Sequence, residues 1–204
     1  MIDRRTFSTT AIAAVGAWAL PGVSLAASSD LPMNEDGLHV QPWFLQSFLE
    51  LRDDHQEAKD AGKLFAVLWE QKGCPYCREM HAVNFRKRQI ADYVQENFVV
   101  LQLNLWGSRK VTDFDGEELE ERDLARKWAV NFTPTTVFFG KDTPEGKSGK
   151  DIEVARMPGY FKPFHFLSMY EFVKQERYAN QGFQRFLQDR FKELEAKGIK
   201  PDVW

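Results

Sequence analysis

Gly73-Cys74-Pro75-Tyr76-Cys77 is the stretch from which the rest of the chain is read. It holds the only two cysteines of a 204-residue sequence, with two residues between them. The apolar run Leu64-Phe65-Ala66-Val67-Leu68-Trp69 leads into it with strand character, and a segment with helical periodicity, Cys77 to Phe85, leaves it. That order sets Cys74 at a helix N-terminus, where unpaired backbone N–H groups and the positive end of the helix dipole favour a thiolate. Cys77 lies one turn further on, near enough to close a disulfide onto the first sulfur. Attack by one sulfur and resolution by its neighbour is the whole of thiol–disulfide exchange, and the first sulfur is expected to be exposed to foreign proteins.

Three other readings compete. A structural disulfide gains little from closing so short a loop, because the entropy removed from the unfolded chain grows with loop length. A zinc site needs four ligands; His81, four residues beyond Cys77, offers a third, and nothing local offers a fourth. The last is a pair of inert buried thiols. No metal is assigned.

The N-terminus bears on that choice. Asp3-Arg4-Arg5-Thr6-Phe7 carries paired arginines, Ala11 to Leu20 is apolar, and Ser24-Leu25-Ala26 sets small residues where a signal peptidase reads. The pattern is that of a twin-arginine export signal over residues 1–26, cleaved after Ala26, although Ser8 stands where a more apolar residue is usual. The apolar run is too short to span a bilayer, and no other segment approaches that length, so the mature form is expected not to span a membrane. The implied destination is the bacterial periplasm, where disulfides persist.

Composition fits a soluble globular domain: 43% hydrophobic and 28% charged residues, with a formal net charge of −3. The absence of a basic excess argues against nucleic acid as a partner. Seventeen phenylalanines and six tryptophans point to an aromatic-rich core or an apolar docking face.

Residues 27–41 read as a polar linker and 42–204 as one domain. Pro42 to Ala61 has apolar residues at Phe44, Leu45, Phe48, Leu51 and Ala58, one stripe of a helix that Gly62 stops. A strand to about Trp69, the helix after the cysteines and a second strand, Phe98 to Leu103, make a parallel strand–helix–strand unit. Lys110 to Gly116 reads as a strand stub and turn, and Glu117 to Trp128 as a helix. Asp113-Phe114-Asp115-Gly116 looks briefly like a calcium loop. With Gly116 at the turn position the first ligand would be Val111 and the bidentate acid Arg122, so it is a turn. Phe132-Thr133-Pro134-Thr135 opens the apolar strand Thr136-Val137-Phe138-Phe139, and the proline, which cannot donate to a ladder, must sit at its start or edge. A strand over Ile152 to Met157 and helices from about Lys162 to Tyr178 and Phe183 to Ala196 complete the chain. The stripe Phe183, Phe186, Leu187, Phe191 and Leu194 reads as core.

The cysteine motif after one strand and the Thr133-Pro134 dipeptide before another together resemble the thioredoxin-fold oxidoreductases, over about Lys63 to Val173. The resemblance implies an α/β fold with a mixed central sheet flanked by helices. To it this chain would add an N-terminal helix, an insertion before the proline strand and a C-terminal helix. It implies that Pro134 is a cis-proline lying against the cysteines, with the Thr133 backbone pairing to an incoming substrate strand. It also implies that Cys74 and Cys77 exchange disulfides with protein substrates without a bound cofactor. Pro75-Tyr76 between the cysteines is the glutaredoxin pair rather than the thioredoxin Gly-Pro, so the potential does not transfer. Glu70-Gln71-Lys72-Gly73, Cys77-Arg78-Glu79-Met80-His81 and Leu103-Asn104-Leu105-Trp106-Gly107 are similar to the SoxW group, the periplasmic thioredoxins of bacterial sulfur-oxidation clusters. That similarity implies a reductant recharged by a membrane thiol carrier. Thioredoxin buries an aspartate six residues before its first cysteine, where this chain has Leu68. Glu70 lies two residues on, on the same strand face. Either it replaces that acid and accepts the Cys77 proton, or it is a solvated strand-end carboxylate.

Overall fold

Every residue of β1 (Leu64–Glu70) is buried. The run is apolar on both sides because both of its faces are covered, as in a central strand. Leu64, Ala66 and Leu68 enter one core and Phe65, Val67 and Trp69 the other. A computed structural model describes residues 31–201. The expected export signal, with Arg4, Arg5 and Ala26, lies outside the described residues.

Around β1 the chain forms α1 (Leu51–Asp60), α2 (Pro75–Glu79), a π-helical turn (Met80–Asn84), α3 (Arg88–Asn97) and β2 (Phe98–Asn104). The hairpin β3 (Lys110–Thr112) and β4 (Glu118–Glu120) follows, then α4 (Glu121–Lys127), β5 (Thr135–Phe139), the short α5 (Gly149–Ile152) and β6 (Glu153–Pro158). α6 (Pro163–Lys174) and α7 (Phe183–Ala196) end it. The main sheet has the order β2-β1-β5-β6. β1 runs parallel to β2, with Leu64 opposite Phe98 and Glu70 opposite Asn104. It runs antiparallel to β5, which is antiparallel to β6. The sheet is therefore mixed, with α3, α6 and α7 packed into the Leu68 side and α1 and α4 into the Trp69 side.

Several expectations need correction. Pro42 to Glu50 is not helical; α1 starts at Leu51. Phe44 packs in the core of one sheet face and Leu45 against that of the other, an alternation of period two that suits extended chain. Leu45 donates its N–H to the Val100 carbonyl at 2.9 Å, so this segment covers the edge of β2. Phe48 is 99% exposed, and Leu49 takes φ +67°, which breaks any helical run. Gly62, at φ +71°, does stop α1, donating to the Lys59 carbonyl. Residues 31–41, assigned to a polar linker, form a turn closed by a Met33–His39 bridge, with Leu38 buried.

Glu118–Glu120 is a strand rather than the first turn of a helix, because Leu119 pairs with Val111 across the turn at Asp113–Gly116. α6 ends at Lys174 rather than near Tyr178; Glu176 turns left-handed at φ +53° and a 3-10 turn follows. α7 has the expected limits, and its Phe186 and Leu187 are buried against α6, where Phe172 meets Phe186 at 5.5 Å between ring centroids. Among the described residues no helix is long and apolar enough to cross a membrane.

Candidate active site

β1 ends beneath the cysteine loop. Gly73, at φ +72°, reverses the chain in a conformation other residues rarely adopt. Cys74 then caps α2 in extended geometry, with Pro75 at the first helical positions, where its missing N–H costs nothing. The Cys74 sulfur accepts the Cys77 N–H at 3.1 Å. Both thiols are free.

Thr133–Pro134 is a cis peptide bond. It places Thr133 against the first sulfur from the opposite side: the Cys74 thiol meets the Thr133 carbonyl at 3.5 Å, and the Thr133 hydroxyl donates to the sulfur at 3.4 Å. The structure thus brings Cys74, Cys77, Thr133 and Pro134 together. Cys74 is not exposed as expected; it is 6% accessible, because the Thr133 loop covers it, and Cys77 is 2% accessible. The rim is open: Tyr76, Trp106 and Phe132 are 61%, 70% and 66% exposed. Tyr76 stands between the cysteines and Phe132 adjoins Thr133. Trp106 is tied to the loop by its indole N–H, which donates to the Gln71 side chain at 2.8 Å.

Behind Cys77 lies Glu70, fully buried, so it is not a solvated strand-end carboxylate. His81 Nε2 is 3.2 Å from both its oxygens, and the Gln102 amide donates to one of them. Gln41 donates to His81 Nδ1 at 3.0 Å, and Gln102 donates also to the His39 carbonyl at 2.6 Å. A ring whose Nδ1 accepts from Gln41 carries its hydrogen on Nε2, facing the carboxylate. Burial first, then the Glu70 charge and the neighbouring Cys74, push the Cys77 thiol far above the ordinary range. His39 is pushed down by burial and then by His81.

The helix after Cys77 is not regular. It passes into the π turn at Met80–Asn84, where Phe85 donates to the Met80 carbonyl five residues back. π turns recur at functional sites, and this one holds a fully buried His81 among Phe44, Phe85 and His39. The sequence marks His81 only as a candidate metal ligand and gives no sign of Gln41 or His39. Gln102 did leave a sign: an amide between Leu101 and Leu103 in a buried strand must have a buried partner. Among the described residues no group of three or more His, Cys, Asp or Glu side chains stands where it could hold a metal ion.

A mixed sheet with a cysteine pair at the end of β1 and a cis-proline at the start of β5 defines a thioredoxin-like α/β protein. A model of the thioredoxin-like domain family matches residues 51–174, and the chain belongs to that family. Among solved structures it is similar to a thioredoxin-fold protein from Helicobacter pylori, with 19% identity, TM-score 0.50, and 70% of this chain and 94% of that chain covered. A thioredoxin from Thermus thermophilus gives 23% identity, TM-score 0.47, and 61% and 83% coverage. The C-terminal domain of DsbD from Neisseria meningitidis gives 13%, 0.41, and 60% and 91%. At 19% identity the first of these likenesses shows the fold alone. No curated protein matches the sequence.

Proposed function

We propose that the chain is a thiol–disulfide oxidoreductase acting on protein disulfides. The observation that carries this is the asymmetry of the pair. Cys74 has a helix start on one side and the Thr133 hydroxyl on the other, whereas Cys77 is held protonated by burial beside Glu70. Cys74 therefore attacks, forming a mixed disulfide and releasing the first substrate sulfur. Cys77 then gives its proton to Glu70 and attacks Cys74; the Cys74–Cys77 bond forms and the second substrate sulfur leaves, taking a proton from water. The substrate disulfide gains two electrons and the pair loses two. Pro75 and Tyr76 tune the poise, and the Thr133 backbone pairs with the substrate strand. The open aromatic rim of Tyr76, Trp106 and Phe132 supports protein rather than small-molecule substrates.

The paired arginines Arg4 and Arg5 and the small residue Ala26 support export by the twin-arginine route and a periplasmic location for the mature form. The similarity to SoxW supports a reductant role linked to sulfur oxidation, recharged by a membrane thiol carrier. The direction of electron flow is tested by equilibrating the pair with thioredoxin and with a strong oxidant such as DsbA. A potential near that of thioredoxin, about −270 mV, agrees with a reductant; one near −120 mV makes it an oxidase or isomerase of the same fold. Failure to reduce an insulin disulfide in the presence of a small dithiol would refute exchange altogether.

A further inference from the structure

We propose that His81 is a positioning residue for the resolving step: it aims the Glu70 carboxylate at Cys77 and holds it ready to take the proton. The inference rests on the Glu70 role proposed above and extends it to the side chains that hold the carboxylate.

Glu70 sits at the end of a strand buried on both faces, so bulk solvent does not reach its carboxylate. Its orientation comes from two amphoteric or amide donors, the His81 Nε2–H, equidistant at 3.2 Å from both oxygens, and the Gln102 amide. His81 is itself held. Gln41 donates to its Nδ1 at 3.0 Å, which fixes the hydrogen on Nε2, and the ring lies edge-on to Phe44 and Phe85 at centroid distances of 5.8 and 5.3 Å. The π turn brings it there, on the segment that directly follows Cys77.

The titratable and charged groups around the carboxylate come from four elements. Cys77 faces it from α2, His81 from the π turn, His39 from the loop before α1 and Tyr170 from α6, while Arg78 acts on His39 from the outer side. None of these but His81 bonds to it. A donor on a carboxylate favours the unprotonated form, the form able to accept the Cys77 proton. Without the His81 N–H the carboxylate loses that support and its aim, so resolution slows and its pH profile moves up. Attack by Cys74 is untouched, because its sulfur is held by Cys77 N–H and Thr133 and not by His81.

The test is stopped-flow reaction of the reduced protein with dithionitrobenzoate, in which one coloured thiolate leaves on attack and a second on resolution. In His81→Phe, a ring that suits the aromatic surroundings, the second phase should slow by about tenfold and its pH profile should move upward, with the first phase unchanged. His81→Gln, which restores an N–H donor, should recover most of the rate. Gln41→Leu, on a half-buried loop, should slow the second phase in the same direction and tests the idea should His81→Phe not fold. In Glu70→Gln the second phase should slow by about a hundredfold, and adding His81→Phe should change it no further. If His81→Phe slows resolution equally with and without Glu70, or slows both phases alike, His81 is a packing residue and the inference fails while the Glu70 role stands. If Glu70→Gln alone resolves at the wild-type rate, the Glu70 role fails and the inference with it.

Discussion

Replacing Asp113 by alanine should unfold the insertion between β2 and β5 before anything else in the protein. Asp113 is 1% exposed and takes five donors: the N–H groups of Phe114 at 2.8 Å and Gly149 at 3.0 Å, the Trp128 indole at 3.2 Å, the Ser148 hydroxyl at 2.7 Å and the Lys127 ammonium at 2.8 Å. Lys127 keeps Asp115 and Glu117, and Ser148 can rotate its hydroxyl, so these two lose little. The Trp128 indole and the N–H groups of Phe114 and Gly149 are buried with no other acceptor, and each such orphan costs about 1–3 kcal/mol. The sum is about 6 kcal/mol, a large share of the 5–15 kcal/mol typical of a domain. At about 2–4 °C per kcal/mol the melting temperature should fall by about 12–24 °C. Asp113→Asn keeps one acceptor oxygen and should cost about half as much. Urea unfolding followed by tryptophan fluorescence measures both, and an alanine variant within 1 kcal/mol of wild type at unchanged m would refute the reasoning. The acid side carries its own check. Burial raises the Asp113 carboxyl, but the bonds from Lys127, Ser148, Gly149 and Trp128 outweigh it and hold the group below its ordinary value. Its stabilisation is therefore present above the unfolded value and lost as the pH falls through the folded one.

Asp54 should behave in the opposite sense. Burial raises it to about 6 despite the Ser47 hydroxyl bond, so the folded state holds a proton that the unfolded state has lost, and stability should fall as the pH rises from 4 to 7; in Asp54→Asn that slope should vanish, and a slope unchanged in the variant would contradict this. Gly149→Ala should destabilise by about 1–3 kcal/mol, because its Cβ would lie 2.1 Å from the indole of a Trp128 hemmed in by Trp69, Phe114 and Phe139; a thermal melt at the wild-type temperature would show that the indole has room to move. Trp106→Ala should raise the KM for a protein disulfide by about 5–30-fold while leaving dithionitrobenzoate reduction alone; equal losses on both would remove Trp106 from the docking surface.

The fold was legible where a single rule governed. β1 and β2 are apolar runs bounded by polar loops, and α7 carries one unbroken helical stripe, so their limits were read to within a residue or so. Pro42 to Glu50 misled because apolar residues spaced by one and three match both a helix stripe and an extended segment whose neighbours enter opposite cores; only the tertiary position of β2's edge decides. The cysteines and Thr133-Pro134 were legible because the residue types are few and the flanking strands clear. Glu70 was half legible: period-two alternation put it on the Leu68 face, but whether water reached it depended on Gln41, His81 and Gln102, residues up to 32 positions away. The shielding of Cys74 was illegible for the same reason, since Thr133, which covers it, is 59 residues distant.

The central claim is that Cys74 attacks foreign disulfides and Cys77 releases them. Its most direct measurement is covalent trapping in the native cell with Cys77→Ser, followed by mass spectrometry of reductant-sensitive adducts. Partner proteins joined through Cys74 in Cys77→Ser, and none in Cys74→Ser, are the predicted result. No adduct in Cys77→Ser, or equal trapping by both variants, would contradict it.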